Sequence, residues 1–198
     1  VNACEAHNVY LVHLSTDFIF DGEAGPYDEE AEANPLSYYG HSKLKAEEIV
    51  LNSSIKASIL RTVLVYGIAE DMSRSNIVLW AKGALEKGNP INVVNDQFRS
   101  PTLAEDLADG CILAAKQKAE GIFNISGEDQ MSVLDIVEAV ADHWKLDKSI
   151  ISAISSTTLN QAAKRPPVTG FVLDKSRKDL GYKPHSFMDG LKVLEGQM

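Results

Sequence analysis

The sequence predicts an α/β fold built on buried parallel strands, and three observations carry that expectation. Two apolar, β-branched runs read as strands covered on both faces: Val9-Tyr10-Leu11-Val12-His13-Leu14-Ser15-Thr16-Asp17 and Ala57-Ser58-Ile59-Leu60-Arg61-Thr62-Val63-Leu64-Val65-Tyr66-Gly67. Between them lies a helical segment that continues through Lys43, Leu44, Glu47, Val50 and Leu51. Beyond them, short strands alternate with amphipathic helices, the arrangement in which helices cover a sheet.

In order, Val1 to His7 reads as the end of a helix, and the strand from Tyr10 to Leu14 follows. Asp21 to Tyr27 is a turn-rich loop leading into the acidic run Asp28 to Glu32. Asn34 is the expected cap of the next helix, with Pro35 at its first position. Ile77 to Lys87 is amphipathic, with Ile77, Leu79, Trp80, Ala84 and Leu85 expected inside, and Gly88-Asn89-Pro90 ends it. A short strand, Ile91 to Val94, precedes a loop from Gln97 to Thr102.

Thr102 and Glu105 then form a T-x-x-E capping pattern for a helix running to Lys116, with Leu107, Ala108, Cys111, Ile112 and Ala115 inward. Gly121 to Gly127 is a strand entering a small-residue turn. Ser132 caps a helix from Val133 to Trp144, whose Val133, Ile136, Val137, Val140, Ala141 and Trp144 form a core stripe. Ile150 to Ser156 is strand-like, and Lys164-Arg165-Pro166-Pro167 is a rigid basic turn. A short helix opened by Asp174 ends at Gly181, and Ser186 starts a last one reaching Leu194.

Composition narrows the class. The chain has 198 residues, 44% hydrophobic and 24% charged, which suits one sizeable globular core. A net charge of −9 argues against a nucleic acid or an anionic membrane as partner. No apolar run approaches the ~20 residues of a membrane span and no leader pattern appears, so a cytoplasmic protein is expected. Cys4 and Cys111 show no C-x-x-C spacing and are expected as two buried reduced thiols. The five histidines lack ligand spacing, so no metal is expected.

The chemistry centres on Tyr39-Gly40-His41-Ser42-Lys43. A tyrosine and a lysine four apart share a helix face. A free phenol titrates near ~10, and a nearby ammonium favours its ionised form, so the pair can give or take a proton at a substrate oxygen. Tyr38 is excluded because its i+4 partner is Ser42. In open α/β sheets chemistry sits beyond the carboxyl ends of the strands, where Ser15, Thr16 and Asp17 lie, and either hydroxyl is placed to support the phenol. Arg99 reads equally as a surface arginine or as a bidentate diphosphate contact. Arg165 sits in a turn that reads as a proline-fixed loop or as a second phosphate or sugar contact. The chain contains no glycine-rich G-x-x-G-x-x-G or G-x-G-x-x-G turn to cradle a dinucleotide pyrophosphate.

The segments Leu14-Ser15-Thr16-Asp17-Phe18-Ile19-Phe20-Asp21-Gly22, Pro35-Leu36-Ser37-Tyr38-Tyr39-Gly40-His41-Ser42-Lys43, Leu60-Arg61-Thr62 to Gly67, Gln97-Phe98-Arg99-Ser100-Pro101-Thr102, Arg165-Pro166 and Leu173-Asp174 resemble the dTDP-4-dehydrorhamnose reductases. These are extended short-chain dehydrogenase/reductases. The resemblance implies the C-terminal part of a Rossmann-type parallel sheet with a small α/β substrate-binding region. Residues 1–70 would be the C-terminal half of the dinucleotide-binding domain, and 71–198 mostly substrate-binding with segments returning to the sheet. The implied reaction, in dTDP-rhamnose biosynthesis, is NADPH- or NADH-dependent reduction of a 4-keto deoxy nucleotide sugar. Tyr39 would donate the proton, Lys43 would tune it, and Thr16 would hydrogen-bond the carbonyl. Tyr39, Lys43 and Ser15 would hold the cofactor, and Thr16, Asp17, Arg99 and Arg165 the substrate. The Asp21–Glu32 stretch reads equally as a solvated charge run or, as the resemblance implies, as a lid over that substrate.

The missing glycine-rich turn implies a C-terminal portion of a longer protein, with an apolar strand edge open to intermolecular pairing such as a homodimer. Such a portion is expected to be inactive alone and to bind nicotinamide cofactor weakly or not at all. Leu64 stands where that family commonly carries tryptophan, which removes a stacking surface and an N–H donor. Two other resemblances lead elsewhere. Nucleotide-sugar epimerases and dehydratases share the superfamily, but usually show a Ser-Ser run and Val-Tyr-Gly where this chain has Ser15-Thr16-Asp17 and Phe20-Asp21-Gly22. The regulatory subunit of methionine adenosyltransferase, a binding partner, is similar across the whole region and also lacks tryptophan at the Leu64 position.

Overall fold

The computed structural model describes residues 1–68, 76–158 and 164–198. A short helix α1 (Asn2–His7) leads into β1 (Leu11–Thr16), a 3-10 turn (Asp17–Ile19) and α2 (Tyr38–Leu51). Then come β2 (Ala57–Thr62), β3 (Val65–Tyr66), α3 (Ile77–Glu86), β4 (Ile91–Val94), β5 (Phe98–Arg99), β6 (Thr102–Leu103) and α4 (Ala104–Gln117). The remainder is β7 (Gly121–Asn124), β8 (Met131–Ser132), α5 (Val133–His143), β9 (Ile151–Ile154), a π-helical turn (Ser176–Leu180) and α6 (Phe187–Glu195).

The main sheet is parallel in the order β1-β2-β7. Leu11 pairs with Ala57 and Thr16 with Thr62, while Ser58 pairs with Gly121 and Arg61 with Asn124. This register places Ser15, Thr16 and Asp17 at the carboxyl end of β1, as the sequence predicts. β1 lies at the sheet's edge, with its own Leu14 and the preceding Val9 exposed. Shorter ladders follow: β3 with β6 and β4 with β9, both parallel, and β5 antiparallel to β8.

Two hydrophobic clusters hold the chain. One surrounds the main sheet and joins Ile19, Phe20, Leu60 and Phe123 to Phe171 and Tyr182 from far along the sequence. The other packs α3, α5 and α6 on β4 through Val78, Leu85, Val93, Val137, Val140 and Leu191. Leu64 touches both clusters, at a backbone φ of 41°, a left-handed conformation unusual for leucine.

Several local expectations are corrected. Asn34 does not cap α2: its amide donates to Asp21, and Ser37 Oγ accepts from Gly40 N instead, so the helix starts at Tyr38. Thr102 is no cap either, because its hydroxyl donates to the Val63 carbonyl at 2.6 Å and ties β6 to the end of β2. The Gln97–Thr102 stretch is accordingly two short strands rather than a loop. Trp80, expected in the core, is 41% exposed, since Val78, Ala81 and Leu85 carry the buried face of α3. On α4 the inward residues are Asp106, Gly110 and Ala114, with Leu107 and Cys111 half-buried, while Ala108, Ile112 and Ala115 face out. Gly110 explains this phase, because a Cβ there would sit 2.8 Å from Ile125. Cys4 and Cys111 are free but only half-buried. The caps Ser132 and Ser186 sit as expected, and Asp135 completes a capping box with Ser132.

Candidate active site

Helix α2 is held onto the sheet by a buried pair beneath it. Arg61 on β2 donates from Nη2 to Glu47 Oε2 at 2.8 Å and from Nη1 to the Glu29 carbonyl at 3.2 Å. At the helix start Gly40 lies against the backbone of Phe18, where a Cβ would come within 2.2 Å of that carbonyl oxygen. Only glycine permits this approach, which sets Tyr39 beside the end of β1. The Tyr39 ring is 52% exposed and stands edge-on to Phe18, with centroids 6.1 Å apart.

A cavity of about 270 Å³ opens there. Five residues singled out from the sequence line it: Thr16, Asp17, Tyr39, Arg99 and Arg165; Leu64 lines it as well. Phe18, Ile77, Gln97 and Val133 complete the wall. Sequence reasoning did not select these four, and apolar residues from three separate elements leave no local signal of a shared wall. A larger groove, about 850 Å³, follows Asp21 to Asn34, but its lining of carboxylates, alanines and one tyrosine carries no cation.

Lys43 and Ser15 are not in the cavity wall. The Lys43 ammonium donates to the Leu14 carbonyl at 2.5 Å, next to Ser15. Ser15 is buried, and its Oγ has no hydrogen-bond partner among the described residues. That oxygen is closed off from the surface, so of the two residues Lys43, beside the end of β1, is the one whose N–H groups suit the hydroxyls of a ribose. Lys43 and Tyr39 therefore fit the nicotinamide end of a dinucleotide, and Ser15, expected to hold it, does not reach it. His13, two residues earlier, is held below the ordinary imidazole value by burial and by the Lys43 charge.

Asp17 is buried, and burial pushes its carboxyl above the usual carboxylate range against the opposing pull of Thr169, Arg99 and Thr16. Thr16 Oγ1 donates to Asp17 Oδ1 at 3.1 Å and accepts from Phe18 N at 3.2 Å. Donating to a substrate carbonyl would require Thr16 to exchange the Asp17 bond. Arg99 is buried, and desolvation pulls its pKa down. Its Nη1 donates to the carbonyls of Phe98 and Pro167, and its Nη2 to Pro166 O at 2.8 Å and, weakly, to Gln97 Oε1. With both Nη groups engaged, a bidentate phosphate grip by Arg99 would break several of these bonds. Arg165 is exposed at the mouth and makes no hydrogen bond or ion pair among the described residues.

A parallel α/β sheet with a Tyr–Lys helix against a strand end bearing hydroxyls defines a Rossmann-like protein of the short-chain dehydrogenase/reductase kind. The family model described as the RmlD substrate binding domain matches residues 1–196, and the chain belongs to that family. A dTDP-4-dehydrorhamnose reductase of Clostridium acetobutylicum superposes with a TM-score of 0.90 at 27% identity, covering 99% of this chain and 69% of that one. The Bacillus anthracis dTDP-4-dehydrorhamnose reductase in complex with NADP also gives 0.90, at 25% identity over 99% and 68%. Among curated sequences, methionine adenosyltransferase 2 subunit beta of Danio rerio is 31% identical over 84% of this chain and 54% of its own length. The chain thus spans about half the length of the curated relatives it matches. Among the described residues no helix is long and apolar enough to cross a membrane.

Proposed function

We propose that the full-length protein, in the cytoplasm, reduces a 4-keto deoxy nucleotide sugar with NADPH or NADH. The observation that carries this reading is the convergence of the Tyr39 phenol, the Thr16 hydroxyl, the Asp17 carboxylate and two arginines on one cavity at a strand end. A bound nicotinamide supplies the hydride. Tyr39, whose hydroxyl has no hydrogen-bond partner among the described residues, delivers a proton to the carbonyl oxygen. Lys43, one turn further along α2, holds the nicotinamide ribose. Thr16 and Asp17 orient the sugar ring, and Arg165 takes the diphosphate. Arg99 adds positive charge from beneath. Residues 1–70 supply the dinucleotide side and 71–198 most of the substrate side, and a homodimer is the assembly we expect.

A second reading has its own support: curated relatives at 31% identity are named methionine adenosyltransferase 2 subunit beta. On that reading the full-length protein binds a methionine adenosyltransferase and turns nothing over. Steady-state assay of the full-length protein with a dTDP-4-keto sugar and each nicotinamide separates the two. Turnover abolished by Tyr39→Phe supports the reductase. Absence of turnover with tight binding to an adenosyltransferase supports the partner. The chain from Val1 to Met198 alone is expected to bind NADPH weakly or not at all, checked by calorimetric titration.

A further inference from the structure

From the cavity wall inward runs a chain of hydroxyl, carboxylate and hydroxyl that the proposed reaction leaves unexplained: Thr16 and Asp17 line the cavity, and Thr169 lies behind them. Thr169, wholly buried, donates from Oγ1 to Oδ2 of Asp17, while Thr16 donates to Oδ1 of the same carboxylate at 3.1 Å. Thr169 reaches this point from 152 residues away. It rides on the stretch 164–171, which is fastened to both halves of the site. Phe98 N donates to Pro167 O at 2.8 Å, Thr169 N to Phe98 O at 3.0 Å, and Tyr27 N to Gly170 O at 2.8 Å. Arg99 holds the carbonyls of Pro166 and Pro167, and Gln130 Nε2 donates to Thr169 O. A side chain secured this firmly keeps its hydroxyl on one acceptor.

A hydroxyl has one proton and two lone pairs. The Thr16 proton is committed to Asp17, and one of its lone pairs accepts from Phe18 N. Toward the cavity Thr16 is therefore left as an acceptor. We infer that Thr169 is a positioning residue: by occupying Oδ2 it keeps Asp17 as the acceptor of the Thr16 proton, so that Thr16 receives a hydrogen bond from a ligand hydroxyl. The placement of the ligand rests on the reductase reading, whereas the Thr169–Asp17–Thr16 chain does not. Without the Thr169 donor, burial drives Asp17 to take up a proton, and the carboxyl O–H then donates a hydrogen bond to Thr16 Oγ1. The Thr16 proton turns outward, and the acceptor that held a ring hydroxyl of the ligand is lost. The charged and titratable groups around Asp17 in this cavity are the guanidinium groups of Arg99 and Arg165 and the Tyr39 phenol.

The test uses the full-length protein with ¹³C-labelled aspartate, the Asp17 carboxyl signal being assigned through Asp17→Asn. Thr169→Val, which keeps the shape and removes the hydroxyl, is expected to move the Asp17 titration upward. In the same variant kcat/KM for a keto nucleotide sugar falls roughly tenfold, the loss of the one hydrogen bond by which Thr16 receives a ring hydroxyl. Thr169→Ser returns both to near the unsubstituted values. An Asp17 titration indifferent to Thr169→Val, or a serine variant behaving like the valine one, overturns the inference. The unsubstituted protein provides a check should Thr169→Val not fold: the Thr169 hydroxyl proton exchanges slowly and couples to the Asp17 carboxyl carbon, and absence of that coupling also overturns it. If Asp17 responds as expected while no keto sugar is turned over, the reductase reading fails and the Thr169 assignment stands.

Discussion

Arg61 and Arg99 are both 4% exposed, yet their surroundings differ in kind. Arg61 meets a carboxylate: Nε and Nη2 face Glu47, which is itself 1% exposed, and the guanidinium also lies over the Phe20 ring. Its charge is cancelled where it sits. Arg99 meets neutral carbonyls and makes no ion pair among the described residues. Carbonyl oxygens satisfy its N–H groups without neutralising it, so its field reaches Asp17 and the cavity. A buried charge closed by its partner fastens two elements together. A buried charge satisfied only by dipoles remains available to a ligand.

The strongest way to break this contrast is to open the closed pair. Glu47→Ala leaves the Arg61 charge buried and is expected to cost about 3–5 kcal/mol in urea unfolding. Joint replacement, Glu47→Leu with Arg61→Met, should recover most of that loss, because an apolar pair of similar volume needs no neutralisation. In the open region the largest effect is on chemistry rather than stability. Tyr39→Phe should lower kcat by roughly 10²–10⁴-fold while shifting unfolding by no more than about 0.5 kcal/mol, since the ring is half exposed.

Two arginine substitutions then sharpen the comparison within that region. Arg99→Met strands the carbonyls of Pro166 and Pro167 and should destabilise by about 2–3 kcal/mol in the same unfolding assay. Arg165→Gln should leave stability unchanged within about 0.5 kcal/mol and raise the KM of an anionic nucleotide sugar roughly tenfold, more at low salt than at high.

The smallest effect belongs to a third charged pair, remote from both regions. His185 Nδ1 lies 2.6 Å from Asp106 Oδ1, and that hydrogen bond holds the imidazole above its ordinary value of about 6.5. A raised folded value means the contribution is full below the unfolded value and fades as pH rises through the folded one. Unfolding midpoints of the unsubstituted protein and His185→Gln, compared from about pH 5 to about pH 8, should differ most at the acid end and converge at the alkaline end. The gap should be modest, because the imidazole is about half exposed to screening solvent.

Both the legible and the illegible parts of this chain have physical reasons. Ser132 and Ser186 could be read as caps because a cap is satisfied within three residues of itself. Asn34 and Thr102 looked equally suitable, but each found a partner outside its own turn: Asp21 for the amide, and the Val63 carbonyl for the hydroxyl. Trp80 sits at a helical spacing that allows burial, and only the packing of Val78, Ala81 and Leu85 turned it outward. The polarity of Arg61 in a buried strand announced that a partner was required without saying that Glu47 would be it.

The order of the helices and of the longer strands, the strand end bearing Ser15, Thr16 and Asp17, and the one-turn spacing of Tyr39 and Lys43 were legible in the sequence alone. All of them follow from periodicity and from contacts a few residues apart. Tertiary structure decided that Lys43 rests on the Leu14 carbonyl, that Arg99 is satisfied by three carbonyls, and that Thr169 closes on Asp17. Those bonds join residues up to 152 positions apart, and the geometry that selects one hydroxyl among many exists only once the sheet has brought them together.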